Sequence, residues 1–245
     1  MAYELIYWPT IQGRGEFIRL ALEAASADYV DVARGQEAGV GMAALIAALG
    51  DREQVHPPFA PPILRHGKQV IAQTAAILLY LGPRLGLVGK GAPAQLWTHQ
   101  IQLTIADVLQ EVHDTHHPIS TSLYYEEQKS EADRRARMFC GARMIKYLAW
   151  FESVLSRNGP NTKARHLHLV GAQLTYADLS LFQLVEGLHY AFPKATRRAL
   201  RTAPLVDRLH GEVAQLPRVA AYLASARRIA FNLDGLFRHY PELDS

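Results

Sequence analysis

The chain has 245 residues, a length that suits two domains better than one small domain. Hydrophobic residues make up 49% and charged residues 20% of it, which excludes a disordered tail, a collagen and a disulfide-stapled miniprotein. The net charge is +3, but the arginines are scattered among acidic residues, so neither nucleic acid nor a membrane is an expected partner.

Three features predict a cytoplasmic protein. The apolar runs are too short to cross a bilayer, and the first residues lack the pattern of a signal peptide. The single cysteine, Cys140, cannot form an internal disulfide, which is typical of a reducing compartment. Cys140 lies in an apolar helical pattern, so we expect a buried structural thiol.

The first third of the chain alternates strand and helix patterns. Residues 2–8 are rich in aromatic and branched side chains and predict a strand, which Pro9 ends. An apolar stripe from Ile18 to Ala25 predicts an amphipathic helix, and residues 29–32 predict a second short strand. A strand, helix and strand in this order favour parallel pairing with a right-handed crossover.

Residues 33–85 complete this first domain. A short helix is predicted at 42–49 between glycines, and the prolines of residues 56–62 exclude regular structure there. Residues 63–71 predict a hairpin that turns at 66–68. Thr74 is predicted to cap a helix whose apolar stripe runs from Ile77 to Leu85. The domain therefore has βαβ, helix and ββα segments in that order.

Glycines and a proline in residues 86–93 predict the domain boundary. Beyond it the sequence carries helical stripes, at residues 96–112, 138–155, 177–188, 205–216 and 219–229. Thr175 followed by Asp178 predicts a capping box at the start of one of these helices. The predicted fold class is an α/β domain followed by an all-α domain.

Four motifs, in this order, resemble the cytosolic glutathione S-transferases. Residues 7–19 are similar to the family's opening strand and first helix, and residues 61–64 to its third strand, which begins with a cis proline. Residues 73–77 resemble its Gln-Ser-x-x-Ile glutathione motif, and residues 169–178 its C-terminal capping box. The resemblance implies a thioredoxin-like glutathione-binding domain at residues 1–85. An α-helical domain at residues 93–245 would form the acceptor-substrate site.

The resemblance is to the tyrosine-type branch, bacterial or fungal-like, and it implies that Tyr7 is the catalytic residue. A free thiol with a pKa near ~8.5 is mostly protonated at neutral pH, so the enzyme must lower that pKa. A hydroxyl that donates a hydrogen bond to the sulfur favours the thiolate, and a shift of two pKa units is worth about 2.7 kcal/mol. The alternative interpretation of Tyr7 is a buried strand tyrosine with a satisfied hydroxyl.

The spacing between Tyr7 and Arg19 is one residue longer than in close relatives. The loop at residues 10–12 is therefore expected to be rearranged. Thr10 becomes the second candidate for the activating hydroxyl, as in serine-type relatives.

The resemblance also implies how the γ-glutamyl end of glutathione is bound. Thr74 would supply a hydroxyl and a backbone N–H at a helix N-terminus, which suits a carboxylate, and Gln73 would add an amide. Asp107 matches an acid that meets the ammonium group from the neighbouring subunit, which implies a homodimer. The alternative interpretations are a plain N-cap for Thr74 and an exposed helix acid for Asp107.

The other two parts of glutathione match the family pattern less well. The family pairs the cysteinyl part with the backbone that precedes its cis proline, here Pro61 before Pro62. Because proline has no N–H, one hydrogen bond common in the family is expected to be missing. Arg14 is the candidate for the glycyl carboxylate, and the lysine and tryptophan of many relatives have no clear counterpart.

The acceptor substrate is expected between the domains, near Thr10, Ile11 and the end of the helix before Pro118. His113, His116 and His117 share a helical face there, at i, i+3 and i+4. Three interpretations stay open: polar lining of the acceptor pocket by residues such as His113 and His117, a metal site, or a solvated helix end. No acid or cysteine cluster supports the metal, so no metal cofactor is expected.

The function implied by the resemblance is transfer of glutathione, as co-substrate, to a small electrophile, as in detoxification. Two alternatives remain. The same thiolate serves glutathione-dependent isomerases, lyases and peroxidases, and the fold is also used by non-catalytic binding modules.

Overall fold

The computed structural model describes residues 2–37, 39–159 and 166–244, and a four-stranded mixed sheet forms its first part. The strands are β1 (Tyr3–Ile6), β2 (Tyr29–Asp31), β3 (Ile63–His66) and β4 (Gln69–Ala72). Their order across the sheet is β2-β1-β3-β4, with β1 parallel to β2 and antiparallel to β3. β3 and β4 form the predicted hairpin, whose turn contains Gly67 at a φ of 60°.

Three helices accompany the sheet, α1 (Glu16–Ala24), α2 (Met42–Gly50) and α3 (Thr74–Leu85). The predicted strand at residues 2–8 is shorter than expected, and Tyr7 lies just after its end. The prediction that Thr74 is the N-cap of α3 was wrong. Thr74 is the first helical residue, and Gln73 holds the cap position with φ 69° and ψ 120°.

The rest of the described chain is helical. Its helices are α4 (Ala92–Asp114), α5 (Lys129–Met138), α6 (Met144–Arg157), α7 (Tyr176–Ala191), α8 (Pro193–Leu200), α9 (Pro204–Ala214) and α10 (Pro217–Leu223). The predicted capping box is present at α7, where Thr175 Oγ1 accepts from the N–H of Asp178 at 3.4 Å. Asp178 Oδ2 accepts from the N–H of Thr175 at 2.7 Å.

Three helix predictions need correction. The helix predicted at 138–155 begins with a π-helical turn at Phe139–Arg143 and continues as α6, and the unpredicted α5 precedes it directly. α8 was not predicted. The helix predicted at 219–229 stops at Leu223, because Ser225 Oγ donates to Tyr222 O at 2.8 Å and also accepts from the N–H of Arg227.

One apolar core runs across both parts of the chain. Phe17, Leu20 and Leu78 from α1 and α3 join the buried side chains of the helical domain. Cys140 belongs to the same core and is 1% exposed, as predicted for a structural thiol, and burial raises its pKa to about 12. Within the described residues, no helix is both long enough and apolar enough to cross a membrane.

A buried group of charges also joins the two parts, here called the Glu16 network and consisting of Glu16, Arg19, Tyr222 and Arg228. Glu16 Oε1 accepts from the Tyr222 hydroxyl at 2.6 Å and from Arg228 Nη1 at 2.5 Å. Its other oxygen accepts from Arg19 Nη1 at 3.3 Å. The side chains of Glu16 and Arg19 are 0% exposed, so this network fixes α1 against the C-terminal segment.

Candidate active site

Tyr7 is held by the glycine-rich turn that follows β1. The Tyr7 hydroxyl accepts a hydrogen bond from the backbone N–H of Arg14 at 2.9 Å, and the side chain is 5% exposed. A Cβ on Gly13 would collide with the Tyr7 oxygen, and one on Gly15 would stand 2.6 Å from the ring. Gly13 also has a φ of 45°, which glycine adopts without strain. The two glycines thus allow the backbone to approach the tyrosine.

Burial raises the pKa of Tyr7, and the Arg14 N–H together with the charges of Arg14 and Arg19 opposes that rise only in part. Tyr7 is therefore a neutral phenol near neutral pH. Its oxygen already accepts from Arg14, so its own proton remains to be donated to another group. A buried donor of this kind stabilises an anion placed beside it.

A cavity of about 320 Å³, here called the Thr74 cavity, lies between α3 and α4. It brings together three of the predicted glutathione ligands, Arg14, Gln73 and Thr74. Thr74 Oγ1 donates to the carbonyl oxygen of Arg14 at 3.3 Å, which ties the start of α3 to the turn that holds Tyr7. The full lining is Arg14, Gln73, Thr74, Ala75, Ala76, Leu79, His99, Gln102, Leu103, Ala106 and Leu109.

The electrostatics of the Thr74 cavity favour an anionic group. Thr74, Ala75 and Ala76 open α3, and the free N–H groups of a helix's first turn attract a carboxylate. The guanidinium of Arg14 adds a full positive charge to the same wall.

The sequence analysis missed two polar residues of this cavity, His99 and Gln102. His99 Nδ1 and Gln102 Oε1 are buried and lack hydrogen-bond partners among the described residues. Burial also lowers the pKa of His99, which favours its neutral ring. Both lie on α4 within an apolar pattern, so no motif singles them out. Buried polar atoms without partners in a cavity mark a place where a ligand can supply the missing bonds.

Three of the six predicted glutathione ligands, Pro61, Pro62 and Asp107, are not among the lining residues of the Thr74 cavity, and neither is Tyr7. The Pro61–Pro62 peptide bond is cis, as the resemblance implied. Pro62 is buried at the start of β3, and Pro61 is half-buried. Asp107 is exposed on α4. Their contacts with glutathione remain predictions.

The residues predicted for the acceptor site are joined by the C-terminal segment, residues 225–244. Asn232 Nδ2 donates to the carbonyl oxygen of Thr10 at 2.8 Å, next to Ile11. His116 Nε2 lies 3.0 Å from the carbonyl oxygen of Leu236. No sequence motif indicated that this segment returns to the loop after β1.

The three histidines do come together, although α4 ends at Asp114 before the second and third of them. The ring centroid of His113 lies 5.1 Å from that of His116 and 5.4 Å from that of His117. Burial lowers the pKa of His116 to about 3, so this ring is neutral at physiological pH. His113 and His117 are half-buried, and burial lowers their pKa values as well.

Arg14 connects the Thr74 cavity to this histidine cluster. Its Nη2 donates to Gln110 Oε1 at 3.1 Å, and Gln110 Nε2 donates to Asp114 Oδ1 at 2.8 Å. Asp114 in turn lies 3.6 Å from Nδ1 of His113. One arginine therefore contacts both predicted halves of the site through its backbone and its side chain.

Comparison with known proteins finds a family model for the second part of the chain and similar solved structures for nearly all of it. Residues 113–226 match the family model for the glutathione S-transferase C-terminal domain. The Pi-class glutathione S-transferase of Onchocerca volvulus has a similar structure, with a TM-score of 0.67, 20% identity, and coverage of 91% of this chain and 92% of that one. The fold is thus a thioredoxin-like domain followed by a helical domain, as predicted.

Curated relatives are similar over nearly the whole chain. A glutathione S-transferase of Plasmodium falciparum is 22% identical over 93% of this chain and 98% of its own length. Human glutathione S-transferase P is 24% identical over 95% of this chain and 97% of its own length. The domain match and these similarities are all to glutathione S-transferases.

Proposed function

We propose that this protein is a tyrosine-type glutathione S-transferase that joins the glutathione sulfur to a small electrophile. The observation that carries the proposal is the Tyr7 hydroxyl, buried and fixed at 2.9 Å by the N–H of Arg14, a residue that also lines a cavity suited to a carboxylate. Tyr7 keeps its proton at neutral pH because burial raises its pKa. It donates that proton in a hydrogen bond to the thiolate, and the thiolate attacks the electrophile.

Glutathione would lie with its γ-glutamyl carboxylate at the start of α3. The N–H groups of that turn, the Thr74 hydroxyl and the Gln73 amide are its proposed donors. Gln102 and His99 have unpartnered atoms in the same cavity and can take up the ammonium group. The cysteinyl part would lie along Pro61 and Pro62, where only a carbonyl oxygen of Pro61 is available.

Arg14 is the proposed partner of the glycyl carboxylate, but its position in the Thr74 cavity suits the γ-glutamyl carboxylate equally well. The acceptor substrate would meet the sulfur beside Thr10, Ile11, His113 and His117. Because these histidine rings have lowered pKa values, they would present neutral polar groups to an electrophile.

A cytoplasmic homodimer is the proposed assembly. Leu79 of α3 and Leu103 of α4 line the Thr74 cavity and are 41% and 47% exposed, and Leu96 is 70% exposed further along α4. Exposed leucines on neighbouring helices favour contact with another copy. Asp107, exposed on α4, would then reach the partner's glutathione. The curated relatives come from Plasmodium and mammals, so the bacterial or fungal-like subtype stays a prediction.

The test is the ultraviolet absorbance of bound glutathione thiolate as a function of pH, in wild type and Tyr7→Phe. We expect wild-type protein to lower the thiol pKa by about two units from ~8.5, and Tyr7→Phe to lose this shift. Loss of one fixed donor should also reduce the conjugation rate about a hundredfold. The glycine turn contacts the ring, which phenylalanine retains, so the fold should survive.

Tyr29→Phe is the matched control, because the Tyr29 hydroxyl donates to Glu23 at 2.9 Å on the other side of α1. It should leave the thiolate pKa unchanged. A full shift in Tyr7→Phe would contradict the role of Tyr7 and make Thr10 the candidate activator. Absence of glutathione binding to the wild type would contradict the transferase itself and favour a non-catalytic binding module.

A further inference from the structure

Two carboxylate–histidine pairs face each other on α7 and α9, away from Tyr7. Glu186 and His189 lie three residues apart on α7, and Asp207 and His210 have the same spacing on α9. Residues at i and i+3 share one face of a helix, so each pair points one acid and one imidazole in the same direction. The Glu-x-x-His spacing on facing helices recurs in metal-binding helix bundles.

The distances between these side chains are short. One ligand atom each from His189, Asp207 and His210 lies within 4.8 Å of the others, and within the described residues only this group does so. Ligands at the corners of a tetrahedral zinc site are about 3.3 Å apart, given bond lengths of about 2.0–2.1 Å. The side chains therefore need to move by about an ångström, and Asp207 is exposed and free to turn.

The surroundings hold the two rings while leaving the site open to solvent. His210 Nε2 lies 2.7 Å from Glu186 Oε1, and the His210 ring stacks on Phe182 with centroids 5.2 Å apart. His189 is half-buried, and its ring centroid lies 5.6 Å from that of His210. A carboxylate that orients a ligand histidine is a usual feature of zinc sites.

We propose that His189, Asp207 and His210 bind a divalent first-row transition ion of the zinc type, with Glu186 orienting His210. Two imidazoles and one carboxylate suit such an ion better than Ca²⁺ or Mg²⁺, which prefer oxygen ligands alone. The Arg228 guanidinium, 3.9 Å from Glu186, offsets part of that carboxylate's charge, which leaves Asp207 as the ligating acid. The bound ion crosslinks α7 to α9.

The sequence analysis considered a metal only at His113, His116 and His117, and expected none. The present site was overlooked because its two pairs are separated by α8 and meet only through the packing of α7 against α9. It is independent of the proposed transferase function, since none of its residues lines the Thr74 cavity.

The experiment uses untagged, chelator-treated full-length protein, because a histidine tag binds the same ions. Calorimetry with Zn²⁺ and the visible spectrum of added Co²⁺ measure binding in wild type, Asp207→Asn, His189→Ala and Glu186→Gln. We expect one ion per wild-type chain, a tetrahedral Co²⁺ spectrum, and a rise in melting temperature with Zn²⁺. Asp207→Asn and His189→Ala should each weaken binding by more than about tenfold, and Glu186→Gln by about tenfold.

The double variant His113→Ala/His117→Ala is the matched control and should bind Zn²⁺ as the wild type does. Asp207→Asn keeps the size of an exposed side chain, so circular dichroism should show an unchanged fold. Zn²⁺ binding weaker than millimolar in the wild type would overturn the proposal. Wild-type affinity in Asp207→Asn and His189→Ala, or loss of binding in the control, would also overturn it.

Discussion

Two buried polar regions lie on either side of the first turn of α1, and they differ in how their hydrogen bonds are used. In the Glu16 network, both oxygens of Glu16 accept hydrogen bonds. The amide of the adjoining Gln183 donates through its nitrogen and accepts through its oxygen. In the Thr74 cavity, Gln102 Oε1 and His99 Nδ1 are buried without partners among the described residues. In the first region the carboxylate and amide atoms are paired and only Arg19 Nη2 lacks a partner among the described residues, whereas in the second region two acceptor atoms that a ligand could use are unpaired.

This difference indicates that residues around the start of α1 can contribute both to stability and to ligand binding. Arg19 of the Glu16 network also lies 5.8 Å from the centroid of the Tyr7 ring. A buried joint therefore stands beside the proposed catalytic tyrosine. Arg19 Nη2 has no partner in that joint among the described residues, and the cavity leaves the acceptor atoms of Gln102 and His99 unpaired. Fully bonded buried groups fix a structure, whereas unpaired ones cost free energy until something binds.

The variant with the largest expected effect on stability is Glu16→Gln, and it tests whether the Glu16 network stabilises the fold. Loss of the charge leaves Arg228, whose side chain is 10% exposed, with only the more distant carboxylate of Glu186 at 3.9 Å. Removing one partner of a buried ion pair typically costs about 3–5 kcal/mol, so we expect the free energy of unfolding to fall by about 3 kcal/mol. Urea denaturation followed by circular dichroism measures the loss.

Glu23→Gln is the matched control on the same helix. Glu23, 11% exposed, pairs with Arg227, whose side chain is 58% exposed. Solvent screens a pair with an exposed arginine more than the buried pair at Glu16, and exposed ion pairs contribute about 0–1 kcal/mol. Equal losses in the two variants would show that burial of Glu16 contributes nothing and that the network is not a stabilising joint.

The second test acts on the turn between the two regions, through Gly13→Ala. The new Cβ would collide with the Tyr7 hydroxyl, and the φ of 45° disfavours alanine. We expect a loss of about 1–3 kcal/mol in unfolding free energy, together with a loss of glutathione activation. Gly141→Ala is the control, because a Cβ there meets nothing within 4 Å. If Gly13→Ala left thiolate formation intact, the geometry of Tyr7 would not matter to the chemistry.

Local sequence signals predicted the parts of the structure that depend on neighbouring residues. The capping box at Thr175 and Asp178 and the cis bond before Pro62 are both present. Thr74 was assigned the wrong role in its helix, because the backbone of Gln73 adopts a positive φ and takes the cap position. Thr74 still lies in the cavity, one residue beyond the cap.

Contacts between distant segments could not be predicted from the sequence. Asn232 bonds to Thr10, and Gln102 faces the Thr74 cavity, only because helices from different parts of the chain pack together. A lone glutamine in an apolar stripe carries no signal of its own, since a buried polar residue is usually satisfied by nearby structure. A motif therefore predicted that Gln73 and Thr74 share a site, whereas the cavity wall formed by α4 could be found only from the fold.

The smallest expected effect on stability comes from replacing one glutamine in each region. This pair of variants compares the two regions most directly, because the residue type is the same in both. Gln102→Leu removes a buried acceptor that has no partner among the described residues, so stability should stay the same or rise by up to about 1 kcal/mol. Gln183→Leu removes bonds to Gln12 at 2.8 Å and Arg228 at 3.0 Å, and should cost about 1–3 kcal/mol.

Calorimetric titration with glutathione then separates the two sites. Gln102→Leu should weaken binding by about tenfold, which corresponds to about 1.4 kcal/mol, because the ligand loses the partner that the cavity holds unpaired. Gln183→Leu should bind glutathione with nearly wild-type affinity if the protein is folded at the titration temperature. If Gln102→Leu lowered stability as much as Gln183→Leu and left affinity unchanged, Gln102 would be a structural residue. The unpaired atoms of the Thr74 cavity would then give no information about its ligand.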